Sequence, residues 1–137
     1  MRRIGPQLFF FLLVLVAAIT IACGSSQPRM LESVNLSPQE ATFDGSPVQF
    51  TATGIYNRNP TSVTPFSATW GACDGEGNAT SEVTVSSTGL ASCGSGVSGT
   101  FTVWGYGMSI SGATCNLVNA CGGGCGRVTG TAQLTCP

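Results

Sequence analysis

The chain contains no histidine and no lysine, and its only basic residues are five arginines. Without an imidazole or an amine, a serine nucleophile lacks its usual general base, so an enzyme is not expected. So few basic residues cannot neutralise a phosphate backbone, which argues against a nucleic-acid partner. After residue 23, no stretch shows the 3.6-residue apolar period of an amphipathic helix. These absences favour an all-β protein that binds rather than catalyses.

The N-terminus carries Arg2 and Arg3, followed by an apolar run from Leu8 to Ala22. A run of about fifteen residues is shorter than the roughly twenty that a membrane-spanning helix needs. It does fit the apolar core of an export signal, which has about 7–15 residues. The sequence therefore predicts a signal peptide over residues 1–22 and export of everything that follows.

The run ends in Thr20-Ile21-Ala22-Cys23, which resembles the lipobox of bacterial lipoproteins. The resemblance implies that the chain is cleaved before Cys23, that the Cys23 sulfur receives a diacylglycerol thioether, and that its amine is also acylated, for example by palmitate. Two or three acyl chains anchor a protein stably, because each buried CH₂ contributes about 0.8 kcal/mol. Gly24 follows in place of aspartate, which by the same resemblance implies the outer membrane of the bacterial cell envelope.

Residues 23–30 then form a short lipidated tether, and residues 31–137 the folded domain. The alternative is an ordinary export signal followed by a coincidental cysteine, which would give a secreted protein. No cofactor is expected in either case. The membrane, reached through the lipid on Cys23, is the one partner that the sequence specifies.

The cysteine count supports the lipid assignment. Seven is an odd number, and lipidation of Cys23 leaves an even set of six: Cys73, Cys93, Cys115, Cys121, Cys125 and Cys136. An even set in an oxidising compartment predicts disulfides. Six cysteines allow fifteen pairings, among which the sequence alone does not choose.

We expect Cys73 to pair with Cys93, since both lie near predicted strand ends. Cys121 and Cys125 flank three glycines that can bend to bring them together. The pair Cys115 and Cys136 then follows by exclusion. The alternative is a four-thiolate zinc site formed by the last four cysteines, which is disfavoured because exported thiols oxidise and no histidine is available. No metal is expected.

Short stretches of alternating apolar and polar residues, separated by glycine and proline turns, predict strands. They cover residues 31–36, 41–43, 48–53, 66–70, 83–85, 90–92, 101–104 and 128–135. Their number and spacing predict a β-sandwich. Trp70, on a middle strand, is expected in its core, and residues 107–127 are expected to form an irregular insertion rich in glycine and cysteine.

Several of these stretches follow one another as they do in the bacterial immunoglobulin-like domains of group 2, which the chain resembles. The matching pieces are Val34–Pro38, Ala41–Gly45, Val48–Ala52, Ala68–Trp70, Val85–Leu90 and Gly94–Val103. The resemblance implies a single disulfide-stabilised sandwich of about seven strands, used for adhesion, display or spacing at the cell surface. It implies no catalytic residue.

Three other motifs suggest binding chemistry. Gly94–Gly99 spells GxGxxG but runs into a predicted strand, so a turn is expected there rather than a nucleotide site. Asp74–Asn78 resembles the start of a calcium loop, yet Ala79 occupies the sixth position, where an EF-hand has glycine. Trp104 and Tyr106 could form an exposed pair that contacts a glycan or a protein.

The leading expectation is therefore an envelope lipoprotein whose immunoglobulin-like domain acts in adhesion, protein binding or spacing. One alternative is a secreted carbohydrate- or calcium-binding module that uses Trp104, Tyr106 and the 74–78 loop. A second alternative is an accessory subunit of a larger envelope complex.

Overall fold

Every regular element in the described part of the chain is a β-strand. The structure, a computed structural model, describes residues 28–109, 121, 123–124 and 126–137. The predicted signal peptide, Cys23, Cys115 and Cys125 lie outside these residues. The strands are β1 Leu31–Ser37, β2 Glu40–Thr42, β3 Val48–Gln49, β4 Thr51–Tyr56, β5 Ser62–Val63, β6 Thr69–Cys73, β7 Val83–Val85, β8 Leu90–Cys93, β9 Gly99–Met108 and β10 Arg127–Cys136.

The strands form two layers. One layer combines the orders β1-β4-β5 and β3-β8-β7, because β3 and β4 are two parts of one extended stretch interrupted at Phe50. The other layer has the order β2-β10-β9-β6, in which β2 runs parallel to β10 and the other pairs are antiparallel. This is the strand order of an immunoglobulin-like sandwich. The all-β fold class expected from the sequence is confirmed.

The core lies between the layers and is entirely apolar among the described residues. Its buried members include Val34 and Phe50 from the first layer and Val103 and Leu134 from the second. Strands β9 and β10 bury every second residue, as the period of a strand requires. Strand β1 departs from strict alternation because a bulge between Leu31 and Ser33 shifts its register.

Glycines on the inner face of β9 make room for aromatic rings from neighbouring segments. A Cβ added at Gly105 would lie 3.2 Å from the Trp70 ring, and one at Gly107 would lie 2.4 Å from the Phe66 ring. Trp70 is half-buried and packs against the core cluster, as expected from the sequence. The aromatic volume of this part of the core therefore comes from residues 66–70, and β9 is left to carry its own aromatics outward.

The sandwich has two ends, to which the later sections refer. The near end holds the start of β1, residues 56–63, the end of β9 and the start of β10, where Met108 pairs with Arg127. The far end holds the 74–82 loop and Cys93 with Cys136. The strand predicted at 66–70 begins instead at Thr69, β5 was not predicted, and β9 and β10 include Gly107, Met108 and Arg127 from the predicted insertion.

Candidate functional site

The outer face of the β6-β9-β10 sheet, meaning its side away from the other layer, carries the candidate aromatic pair. In the sequence Trp104-Gly105-Tyr106-Gly107, the glycines point inward and the aromatic rings point outward. Trp104 lies opposite Gly71 of β6, and its indole lies so close over that glycine that an added Cβ would be 2.2 Å from Cζ2. A glycine at position 71 is therefore what lets the indole lie close to the sheet.

The two rings form a stack that an arginine extends. The ring centroids of Trp104 and Tyr106 are 5.7 Å apart and the planes differ by 23°. The guanidinium carbon of Arg127 lies 4.2 Å from the centroid of the Tyr106 ring. Arg127 pairs with Met108, one step further along the face, so it approaches Tyr106 from the side away from Trp104. The result is an ordered row of indole, phenol and guanidinium, named here the aromatic row.

Both ring faces of Tyr106 are thus occupied within the protein. Sugar recognition by aromatic side chains usually uses an open ring face, and Tyr106 has its two faces toward Trp104 and Arg127. Trp104 is half-buried, and its indole Nε1 is shielded from solvent with no hydrogen-bond partner among the described residues. The indole packs over Gly71 and against the Tyr106 ring, and these contacts hold it in place. Rigid aromatic and arginine side chains of this kind are enriched where proteins bind proteins.

Four of the predicted disulfide cysteines form two bridges, Cys73–Cys121 and Cys93–Cys136. The expected pairings Cys73–Cys93, Cys121–Cys125 and Cys115–Cys136 are wrong. Cys93 and Cys136 point into the space between the layers, so their bridge joins β8 to β10 across the sandwich. Cys73 pairs with the outward-facing Thr102 and points the other way, which makes a bond to Cys93 impossible.

The Cys73–Cys121 bridge ties the β9–β10 connection to strand β6 at the end of the aromatic row's sheet. The Cys121 sulfur lies 2.9 Å from the carbonyl oxygen of Gly77, so the 74–78 loop sits against this bridge. Because Cys121 and Cys136 are both in disulfides, the four-thiolate zinc alternative is also wrong. Cys115 and Cys125 lie outside the described residues.

In the 74–78 loop, the Asp74 carboxylate accepts hydrogen bonds from the backbone of its own loop. Its Oδ1 accepts N–H groups from Glu76 at 3.0 Å and from Asn78 at 2.8 Å. The backbone hydrogen bond from Asn78 is the main reason that the pKa of Asp74 lies below its ordinary value of 3.8. No cluster of three metal-ligating side chains occurs in the described part of the chain. The carboxylate therefore has a structural role as a loop closure.

The Gly94–Gly99 motif forms a turn, as expected, with Gly94 accepting the N–H of Val97 at 3.2 Å and β9 beginning at Gly99. A cleft of about 290 Å³ that the sequence did not predict opens beside Phe50, Phe66 and Trp70. Its rim is formed by hydroxyl and amide side chains: Gln49, Thr51, Ser67, Ser87 and Thr88. The Gln49 amide donates to the carbonyl oxygens of Phe50 and Thr88.

The last residues of the predicted tether are fixed to the near end. The guanidinium carbon of Arg29 lies 3.6 Å from the centroid of the Tyr56 ring, and its nitrogens donate to the carbonyl oxygens of Arg58 and Pro60. Met30 exchanges two hydrogen bonds with Asn57, at 2.9 and 3.1 Å. This clamp could not be predicted from the sequence, because Arg29 and its carbonyl partners are 29 and 31 positions apart, with strands β1 to β4 between them.

Comparison of the sequence with protein-family models and with curated proteins finds no match. Among the described residues, no helix is long and apolar enough to cross a membrane. The candidate site therefore consists of the aromatic row Trp104, Tyr106 and Arg127, of which Arg127 was not predicted. Arg127 lies beside Tyr106 because of the register of β10 against β9, which the sequence does not display.

Proposed function

We propose that the protein is a bacterial envelope lipoprotein, anchored by acyl chains on Cys23, whose immunoglobulin-like domain is a non-catalytic protein-binding module. The observation that carries the proposal is the ending Thr20-Ile21-Ala22-Cys23 directly ahead of one small sandwich. The group 2 resemblance supports the same assignment, and so does the strand order. The lack of histidine and lysine supports a role without chemistry.

The anchor is tested by blocking its formation. Globomycin, which inhibits lipoprotein signal cleavage, should leave an uncleaved precursor that carries the diacylglycerol thioether, whereas Cys23→Ala should leave an uncleaved precursor without lipid. The reason is that cleavage in this class requires the diacylglycerol thioether on the cysteine. The measurement is the intact mass of the protein from membranes. Normal processing of the Cys23→Ala chain would contradict the lipid anchor.

The aromatic row is the surface proposed to contact the partner. Its side chains are held in place before binding, so little conformational entropy is lost when a protein docks. We expect Tyr106→Ala to lower chemical crosslinking to envelope proteins at least tenfold, because hot-spot residues contribute more than about 1.4 kcal/mol. Thr135→Ala is the matched control, since Thr135 lies on the outer face of the same sheet near the far end. Equal crosslinking by both variants would contradict the assignment.

A carbohydrate-binding module is the second candidate, and the outward placement of Trp104 and Tyr106 on β9 is the observation in its favour. A glycan array separates the two. Binding of a saccharide by the purified protein, lost on Trp104→Ala, would favour the second candidate over protein binding.

A further inference from the structure

The charged side chains are divided between the two ends of the sandwich. From Cys23 onward the sequence has three arginines and six carboxylates, and all nine are described. The arginines are Arg29, Arg58 and Arg127, and every one of them lies at the near end. Since residues 110–120 contain no charged residue, no undescribed segment alters this division.

The carboxylates lie mostly at the opposite end. Glu32, the second residue of β1, is the exception at the near end. The other five are Glu40, Asp44, Asp74, Glu76 and Glu82. Glu40 aligns with Gln133 on β10, six positions beyond Arg127. At about 3.3 Å per residue, this places the acidic residues about 20 Å from the basic end.

The near end also exposes apolar side chains beside its arginines. Met30 is 40% exposed and Met108 is 45% exposed, and only one other large hydrophobic residue of the described chain, Leu90, is comparably exposed. Arg29 is already clamped to the 57–60 loop, so at most six residue steps separate the Cys23 anchor from this end. Six steps of extended chain reach about 20 Å. The basic, methionine-bearing end is therefore held within that distance of the lipid surface.

We infer that the near end docks on anionic lipid headgroups, so that the domain stands upright with its acidic far end pointing away from the membrane. The inference rests on the proposed anchor at Cys23. The partner is a phospholipid surface carrying negative charge: the exposed arginines Arg29 and Arg58 would contact its phosphates, and the two methionines would enter the headgroup boundary. Repulsion between the same surface and the far-end carboxylates favours the same orientation.

The test uses the lipidated mature protein in phosphatidylcholine vesicles with and without phosphatidylglycerol. Amide hydrogen exchange of residues 57–60 should be several-fold slower in the anionic vesicles, while exchange of the 74–82 loop is equal in both. Each arginine at an anionic surface is worth roughly a fivefold preference. Arg58→Gln should therefore remove most of the added protection, and Arg58→Lys should restore it. The protection should also disappear at high salt.

Equal exchange of residues 57–60 in the two kinds of vesicle would overturn the inference, as would protection of the 74–82 loop instead. Protection seen only in native envelope vesicles, and not in pure lipid, would also overturn it, because a protein partner would then cover this end. Intact mass distinguishes failure of the anchor. If the chain carries no lipid, the same comparison is made with excess vesicles at low salt, where protection of 57–60 is again expected.

Discussion

At the scale of single residues, the aromatic row depends on the absence of a side chain at position 71. The Trp104 indole lies over Gly71, where an added methyl group would meet Cζ2 at 2.2 Å. Gly75, four positions later, has nothing within 4 Å of an added Cβ. Neither glycine has the positive φ that only glycine adopts easily. Replacing each with alanine therefore compares the effect of packing alone.

We expect Gly71→Ala to displace the indole and to destabilise the protein by about 1–3 kcal/mol, the usual cost of overpacking. Gly75→Ala should leave stability within about 0.5 kcal/mol of the original, as is usual for surface changes. Urea unfolding followed by tryptophan fluorescence measures both. Equal midpoints for the two variants would mean that the indole does not lie against β6.

Asp74 gives a second prediction at this scale. Its carboxylate accepts backbone N–H groups in the folded loop, chiefly that of Asn78, so its pKa in the folded state is lower than in the unfolded state. The stability contributed by this group is therefore present above the unfolded pKa and is lost as pH falls through the folded pKa. A carbon-detected NMR titration should place the Asp74 midpoint below 3.8, and a midpoint above that value would contradict the loop geometry. Asp74→Asn should remove this part of the acid sensitivity.

At the scale of elements, the sequence predicted most strands but not the cysteine pairing. Strands β1, β2, β7, β8 and β10 were located within one residue at each end, whereas the stretch predicted at 48–53 is divided into β3 and β4, which extends to Tyr56. β6 was misplaced because residues 66–68 continue the alternation of Trp70 without pairing to β9. The predicted cysteine pairs were wrong because they were chosen by position in the sequence, whereas the direction in which each side chain points decides which cysteines can meet. Cys136 continues the inward-facing series that includes Leu134, whereas Cys73 faces outward.

The bridge between the layers should contribute more to stability than its position at a strand end suggests. Cys93 and Cys136 are 43 positions apart, and closing a ring of that size contributes about 4 kcal/mol in the chain-entropy model. We expect the double change of Cys93 and Cys136 to alanine to lower the free energy of unfolding by about 2–4 kcal/mol, measured in urea. A loss below about 1 kcal/mol would contradict a bridge that holds the two layers together.

Two of the three residues of the aromatic row were predicted from the sequence. Trp104 and Tyr106 were identified because aromatic residues alternate with glycines. Arg127 and the Arg29 clamp were not, because each depends on a register or a loop contact between distant positions. Alternation along one strand is a local property that a sequence displays. The neighbour across a ladder is fixed by the connection between strands, which here runs through residues 109–126.

At the scale of the whole molecule, the protein is a small sandwich with one proposed attachment point and one candidate binding face. The division of its charges is the basis of the proposed orientation at a membrane, and its two described bridges hold the layers and the β9–β10 connection. The proposed attachment and orientation depend on Cys23 being lipidated, which would also leave an even number of cysteines to pair.

Mass spectrometry of the native, unreduced protein tests this most directly. We predict an N-terminal fragment that begins at Cys23 and carries the mass of a diacylglycerol thioether, together with linked peptides for Cys73–Cys121 and Cys93–Cys136. A chain that keeps residues 1–22, or one with an unmodified thiol at Cys23, would contradict the anchor.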